Sequence, residues 1–266
     1  MTMVRAAAAQ ASAVLSALLW MLAVPPPFAA GGGVRDLDDA WLVSPAVLGA
    51  FFATPSGSDH RWCVSAGHGR LFGLPELPQA GLELAYATEG GEATVSWQQL
   101  GADLYRERIW RVHLRVGANW RIGARCGRSQ LDLSGGPARR QFEADLYAQV
   151  PLAADASVEI WWPLTPLPVW YGESGLRRWL RVTGRGDHWL WVLATDRNAD
   201  GKPSAQGEVL LRLGPPAAIG LRCEPASGCV GLCTAWSAAG VLLRSSHLLH
   251  PDLGLTHRWG LVAVSR

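Results

Sequence analysis

The chain has 266 residues, 24 Lys and Arg against 22 Asp and Glu, and a formal net charge of +2, which gives no basis for a nucleic-acid partner. Charged residues reach only 17 %, hydrophobic residues 49 %, and there are 14 tryptophans. Five cysteines, an odd number, exclude a fully paired disulfide scaffold.

In chain order, residues 1–31 have the plan of a secretory signal peptide. A basic Met1–Arg5 precedes a mostly apolar Ala6–Val24, Pro25–Pro27 stop any helix, and small residues follow from Ala29 to Gly33. Cleavage after Gly31 fits, with Ala30 or Gly32 as neighbouring choices; the alternative is an uncleaved membrane anchor. Residues 32–60 are then a short N-terminal periplasmic or plug segment. No later stretch approaches eighteen unbroken apolar residues, so a bundle of membrane-crossing helices is excluded. If the mature chain enters lipid it does so as a closed barrel, the other structure that satisfies every backbone group there.

From residue 61 to 266 the pattern is period two. Ala93, Val95 and Trp97 alternate with Glu92, Thr94 and Ser96. Trp110, Val112, Leu114 and Val116 alternate with Arg111, His113 and Arg115, and the same holds along 120–129 and 142–150. Successive strand side chains point to opposite faces, so each run has a greasy face and a polar one. Turn signals at 88–92, 134–137, 184–187, 200–203, 214–216 and 224–228 separate the runs. The count is about fourteen strands (12–14), the number whose combined length a transmembrane barrel would draw from 61–266. The expected fold is all-β: a transmembrane antiparallel up-and-down barrel. A soluble β-sandwich gives the same alternation and is the rival.

In a barrel the polar faces line the interior. Arg111, His113, Arg115, Arg121 and Arg125 are expected there as a basic wall, paired across strands with Glu143 and Asp145. Trp161, Trp162, Trp170, Trp179 and Trp189 lie near strand ends, which suits girdles at the lipid–water boundaries. Asp196, Asn198 and Asp200 have the alternate acidic spacing of a calcium loop, but the twelfth position is Gly207, not glutamate. The reading preferred is a polar hairpin tip, where Asn, Asp and Gly supply turn geometry, and neither metal nor cofactor is expected. Cys223 and Cys229 flank a turn and allow a cross-hairpin disulfide; the reading preferred is small apolar residues on greasy faces. Ser65, His68, His247, His250 and His257 show no spacing that proposes a catalytic triad, and no enzymatic activity is expected.

Three segments carry a resemblance. Ser65–Leu77 with Ala80–Leu82, then Val95–Trp97 with Asp103–Glu107, and finally His250–Leu261 resemble the first strands and the last turn and strand of small barrels in the long-chain fatty-acid transporter superfamily, closest to the branch of type IX secretion outer-membrane proteins. The resemblance spreads over most of 61–266. It implies an outer-membrane barrel of about fourteen strands, with transport of hydrophobic compounds as the superfamily's best-known activity. Two departures stand beside it: the N-terminal segment is short for a plug, and the chain ends Val262–Arg266 without a terminal aromatic residue.

The sequence therefore predicts a bacterial outer-membrane barrel, in contact with membrane lipid, acting as a channel or transporter for small or hydrophobic molecules. Two alternatives stay open: a non-conducting barrel that binds a secretion or surface-assembly partner, and a secreted sandwich that binds a ligand.

Overall fold

The computed structural model describes residues 60–117, 120–153, 155–165, 178–197, 203–225 and 228–264. The expected leader at 1–31 lies outside these residues, as do the segment that follows it (save His60), Trp170, Asn198 and Asp200.

Fourteen strands run in chain order: β1 (His60–Arg70), β2 (Pro78–Thr88), β3 (Gly91–Gly101), β4 (Tyr105–Val116), β5 (Arg121–Leu133), β6 (Arg139–Ala153), β7 (Ala156–Pro163), β8 (Arg178–Arg185), β9 (Trp189–Arg197), β10 (Pro203–Gly214), β11 (Ala217–Glu224), β12 (Cys229–Ala238), β13 (Val241–His250) and β14 (Gly254–Val264). Each pairs antiparallel with its sequence neighbours, and β1 pairs with β14, so the sheet closes on itself. The sandwich alternative is thereby overturned: the described strands form one closed sheet, with no second sheet among the described residues to pack against it. Closure leaves no strand edge with unpaired backbone groups.

The two ends of the barrel differ. The described chain enters at His60 and leaves at Val264 on one end, where connections such as 89–90, 215–216 and 239–240 are two residues long. Ala239 and Gly240 both have positive φ, 49° and 81°, the requirement of a two-residue hairpin whose twist matches its strands. The opposite end carries the longer connections, including 71–77 and 134–138. Short turns on the side of the termini and longer loops on the other are the layout of outer-membrane barrels; the two are called here the termini end and the loop end.

The alternation read from sequence becomes an inside and an outside. Outward positions are apolar and exposed: Leu82, Val95, Leu114, Ile122, Leu146, Leu221, Leu232 and Leu261 are 42–64 % exposed. Inward positions hold the buried polar and charged groups, among them Gln79, Glu107, Arg111, Glu208, Arg222, Arg244 and Arg258. This is the reverse of a water-soluble protein and suits a barrel whose outer face meets lipid. No described helix is long and apolar enough to cross a membrane; any crossing is made by strands. Outward tryptophans fall in two belts, with Trp62, Trp120, Trp189, Trp191 and Trp236 towards the termini end and Trp97, Trp110, Trp162 and Trp259 towards the loop end.

The interior is not uniform. Cys63, Ala85, Leu190, Val192, Ala194, Leu210, Ala218, Ala235, Leu242 and Val262 form an apolar cluster on the inner wall of β9–β14, β1 and β2, towards the termini end. The inner wall of β3–β8 is charged, and Glu208, Arg222, Arg244 and Arg258 add buried charges on β10, β11, β13 and β14.

Candidate functional site

The charged interior is built by one device used three times. On β4 Arg111 registers with Gly127 of β5, which registers with Glu143 of β6. Because Gly127 has no side chain, the Arg111 guanidinium lies across β5 and donates to Glu143 Oε2 from Nη2 at 3.0 Å and from Nε at 3.3 Å. A Cβ on Gly127 would stand 2.8 Å from Arg111 Cγ and 2.5 Å from the Trp110 carbonyl oxygen. Arg115 reaches across Gly123 to the Tyr147 hydroxyl at 3.4 Å. Arg258 of β14 reaches across Gly69 of β1 to Gln79 Oε1 of β2 at 2.9 Å. An arginine thus meets an acceptor two strands away over a bare stretch of backbone, which is what keeps these buried charges partnered.

Further pairs complete two arrays. In the first, on β3–β8, Arg115 also pairs with Glu92, Arg125 with Asp145 at 2.6 Å, and Arg181 with Glu159 at 3.6 Å; Ser129 donates to Glu143. His113, Tyr147 and Trp161 pack ring on ring, with centroids 4.7–5.3 Å apart. The Arg125 guanidinium sits 4.7 Å from the Trp161 ring centre, a cation–π contact. In the second array, on β10–β13, Glu208 takes Arg244, and Arg222 holds Glu224 at 2.5 Å and Gln206 at 3.1 Å. A cavity of about 160 Å³ lies in the interior, walled by Arg111, Arg115, Arg125, Arg181, Arg244 and Arg258, by Glu83, Glu92 and Glu159, and by the small inward residues Ser65, Gly67, Gly69 and Gly81.

Most residues singled out from sequence can be placed. Arg111, His113, Arg115, Arg121, Arg125, Glu143 and Asp145 all occupy inward positions, and all but Arg121 take part in the contacts above. Of the expected girdle tryptophans, Trp162 and Trp189 are outward. Trp161 is not: it is 6 % exposed in the barrel interior, against His113, Tyr147 and Arg125. Adjacent strand residues face opposite ways, so Trp161 and Trp162 cannot both join a girdle. The backbone of Trp179 is the register partner of Trp161, and that of Asp196 lies in β9; their side chains are outside the described set, and the calcium-loop reading falls there with them. Among the described residues no group of three His, Cys, Asp or Glu is placed to hold a metal.

Cys223 turns outward and Cys229 inward, and the two form no disulfide across the turn they flank. Cys229 and Cys233 are buried inside the barrel, not on its greasy face. Ser65 faces in and His68 faces out, while His250 accepts from the backbone N–H groups of Asp252 and Leu253 at 3.2 Å and shapes the β13–β14 turn. His247 and His257 face outward and meet through their Nδ1 atoms at 2.8 Å; beside them Thr234 and Ser245 share a 2.7 Å hydrogen bond. These outward polar groups satisfy one another in pairs, the condition for sitting on an apolar surface.

Sequence reading missed Glu83, Glu159, Arg181, Glu208, Arg222, Arg244 and Arg258. Arg222 stands alone in an otherwise apolar run (217–223), and Arg244 follows three apolar residues, Val241–Leu243; a charge set into such a strand is the signal available.

No family model matches the chain, and no curated protein matches it. Among solved structures it is similar to the Acinetobacter baumannii outer membrane protein Omp33, at 11 % identity and a TM-score of 0.48 over 78 % of this chain and 97 % of that one. It is also similar to the KdgM porin, at 8 % identity and a TM-score of 0.42 over 76 % and 98 %, and to a mutant of Rh. blastica porin, at 9 % and 0.42 over 77 % and 99 %.

Proposed function

We propose that this chain is an outer-membrane channel for small polar or ionic solutes. The observation that carries the reading is its inverted polarity: apolar side chains on the outside of a closed barrel, and opposed arginine and carboxylate arrays around an interior cavity of about 160 Å³. Rings of fixed charge favour hydrated ions and small charged molecules over apolar ones. His113 Nε2 and Arg115 Nε, on residues that line this cavity, have no hydrogen-bond partner within the described protein, which leaves capacity for a polar solute. Within this reading, kinship with the long-chain fatty-acid transporter superfamily rests on the end segments, which the fold brings together across the β1–β14 seam. The charged interior argues for a different cargo from that superfamily's.

Planar-bilayer recording of the purified full chain tests it. Discrete conductance steps are expected, and Glu143→Gln, which removes one carboxylate beside Arg111, should shift the reversal potential towards anion preference. A barrel that inserts and never conducts would overturn the channel reading. The second reading, a non-conducting barrel that binds a partner, is favoured by one observation: Leu190, Val192, Leu210, Leu242 and Val262 bury apolar side chains in the interior near the termini end. Under that reading silence in the bilayer is the expected result.

A further inference from the structure

The outer face of β4–β6 at the loop end breaks the apolar pattern. Arg106 and Arg108 of β4, Arg128 of β5 and Arg140 of β6 all turn outward, on three adjacent strands. They form a single patch by register: Arg108 and Arg140 flank Gln130 in one cross-strand row, and Arg128 lies between Trp110 and Phe142 in the next. Arg108 pairs with Asp132 and leans on the Trp110 ring at 5.9 Å, and Arg106 reaches Asp103 at 3.5 Å. Arg128 and Arg140 are exposed and have no carboxylate partner among the described residues. Four guanidiniums against two carboxylates leave two positive charges in excess.

The level of the patch matters as much as its charge. Arg128 does not stand above the apolar surface; it shares a row with Trp110 and Phe142, both exposed and outward. An arginine beside lipid is tolerated where an anion meets it. Among the described residues of β7 and β11–β14, the outward positions nearest the loop end are uncharged: Trp162, Cys223, Val230, Leu249 and Leu255. The guanidinium fork matches phosphate oxygens two at a time, and the aromatic rings below offer a bed for acyl chains.

We propose that this face binds the phosphorylated headgroup of an outer-leaflet glycolipid, with Arg128 and Arg140 on its phosphates and its acyl chains along Trp110 and Phe142. The inference rests on the outer-membrane reading, because the loop end then meets the outer leaflet, where the anionic lipid is a phosphorylated glycolipid.

Native mass spectrometry of the full chain in detergent, titrated with bisphosphorylated lipid A, dephosphorylated lipid A and phosphatidylglycerol, tests it. Wild type should retain one bisphosphorylated lipid, with binding at least about tenfold weaker for the Arg128→Gln/Arg140→Gln double variant and for the dephosphorylated lipid. Arg70→Gln, an exposed arginine at the loop end of β1, should bind as wild type does. Equal binding by the double variant, or of the dephosphorylated lipid, would overturn the site; equal retention of phosphatidylglycerol would overturn its assignment to a glycolipid. Heat-modifiable migration of both proteins in the outer-membrane fraction separates the two levels. If wild type is not folded there, the membrane reading itself fails; if it is and the lipid is not discriminated, only the patch does.

Discussion

At the scale of single residues, the interior depends on glycines that let arginines cross a strand. Gly127→Ala would press a methyl group on Arg111 Cγ and on the Trp110 carbonyl, displacing the guanidinium from Glu143. Overpacking of this kind lowers stability by about 1–3 kcal/mol. Urea unfolding in lipid vesicles should show that loss, while Gly90→Ala, with nothing within 4 Å of its new Cβ, should show none. Equal effects at the two sites would contradict the crossing device. Trp161 teaches the converse lesson. Its position near a strand end matched a girdle, yet its parity with Glu159, which is buried inside, sends it into the barrel. Parity outranks proximity to a strand end, because the pleat fixes the face and no local preference can change it.

At the scale of elements, legibility followed the contrast between faces. β4 and β6 alternate charge with apolar bulk, so their inward and outward sets could be read from sequence. β9 could not be resolved this way: Leu190, Val192 and Ala194 point in, Trp189, Trp191 and Leu193 point out, and both faces are apolar. β12 hides its faces similarly, with Cys229, Gly231, Cys233 and Ala235 inside against Val230, Leu232 and Trp236 outside. The cross-strand glycine crossings were illegible for a different reason, since they require knowing which residues register. Where contrast is strong it also fixes the register, because a one-residue slip of β4 would turn Arg111, His113 and Arg115 outward together. Val112→Arg, on the exposed outer face, should therefore cost about 2–4 kcal/mol if it sits near mid-membrane. Arg111→Val leaves Glu143 with its Ser129 partner and should impair assembly less. The fraction of each variant that migrates as folded barrel on a cold gel reports the order; Arg111→Val failing more severely would contradict it.

At the scale of the whole molecule, the fold separates two surfaces that a soluble protein would arrange the other way round. The closed sheet, the short turns on the side of the termini, the paired tryptophan belts and the charged interior all follow from the same alternation, and the conductance proposal depends on it. The orientation itself can be measured around the full circumference. With the five native cysteines replaced by serine, one environment-sensitive fluorophore is attached in turn at the outward positions Val64, Val112, Leu146 and Leu232, and at their inward neighbours Ser65, Arg111, Tyr147 and Gly231. The protein is then refolded into vesicles whose acyl chains carry bromine, a contact quencher. Strong quenching at the four outward sites and little at the four inward ones is the predicted result. Equal quenching at both sets, or quenching only at the inward set, would contradict the account that this barrel turns its apolar face to lipid.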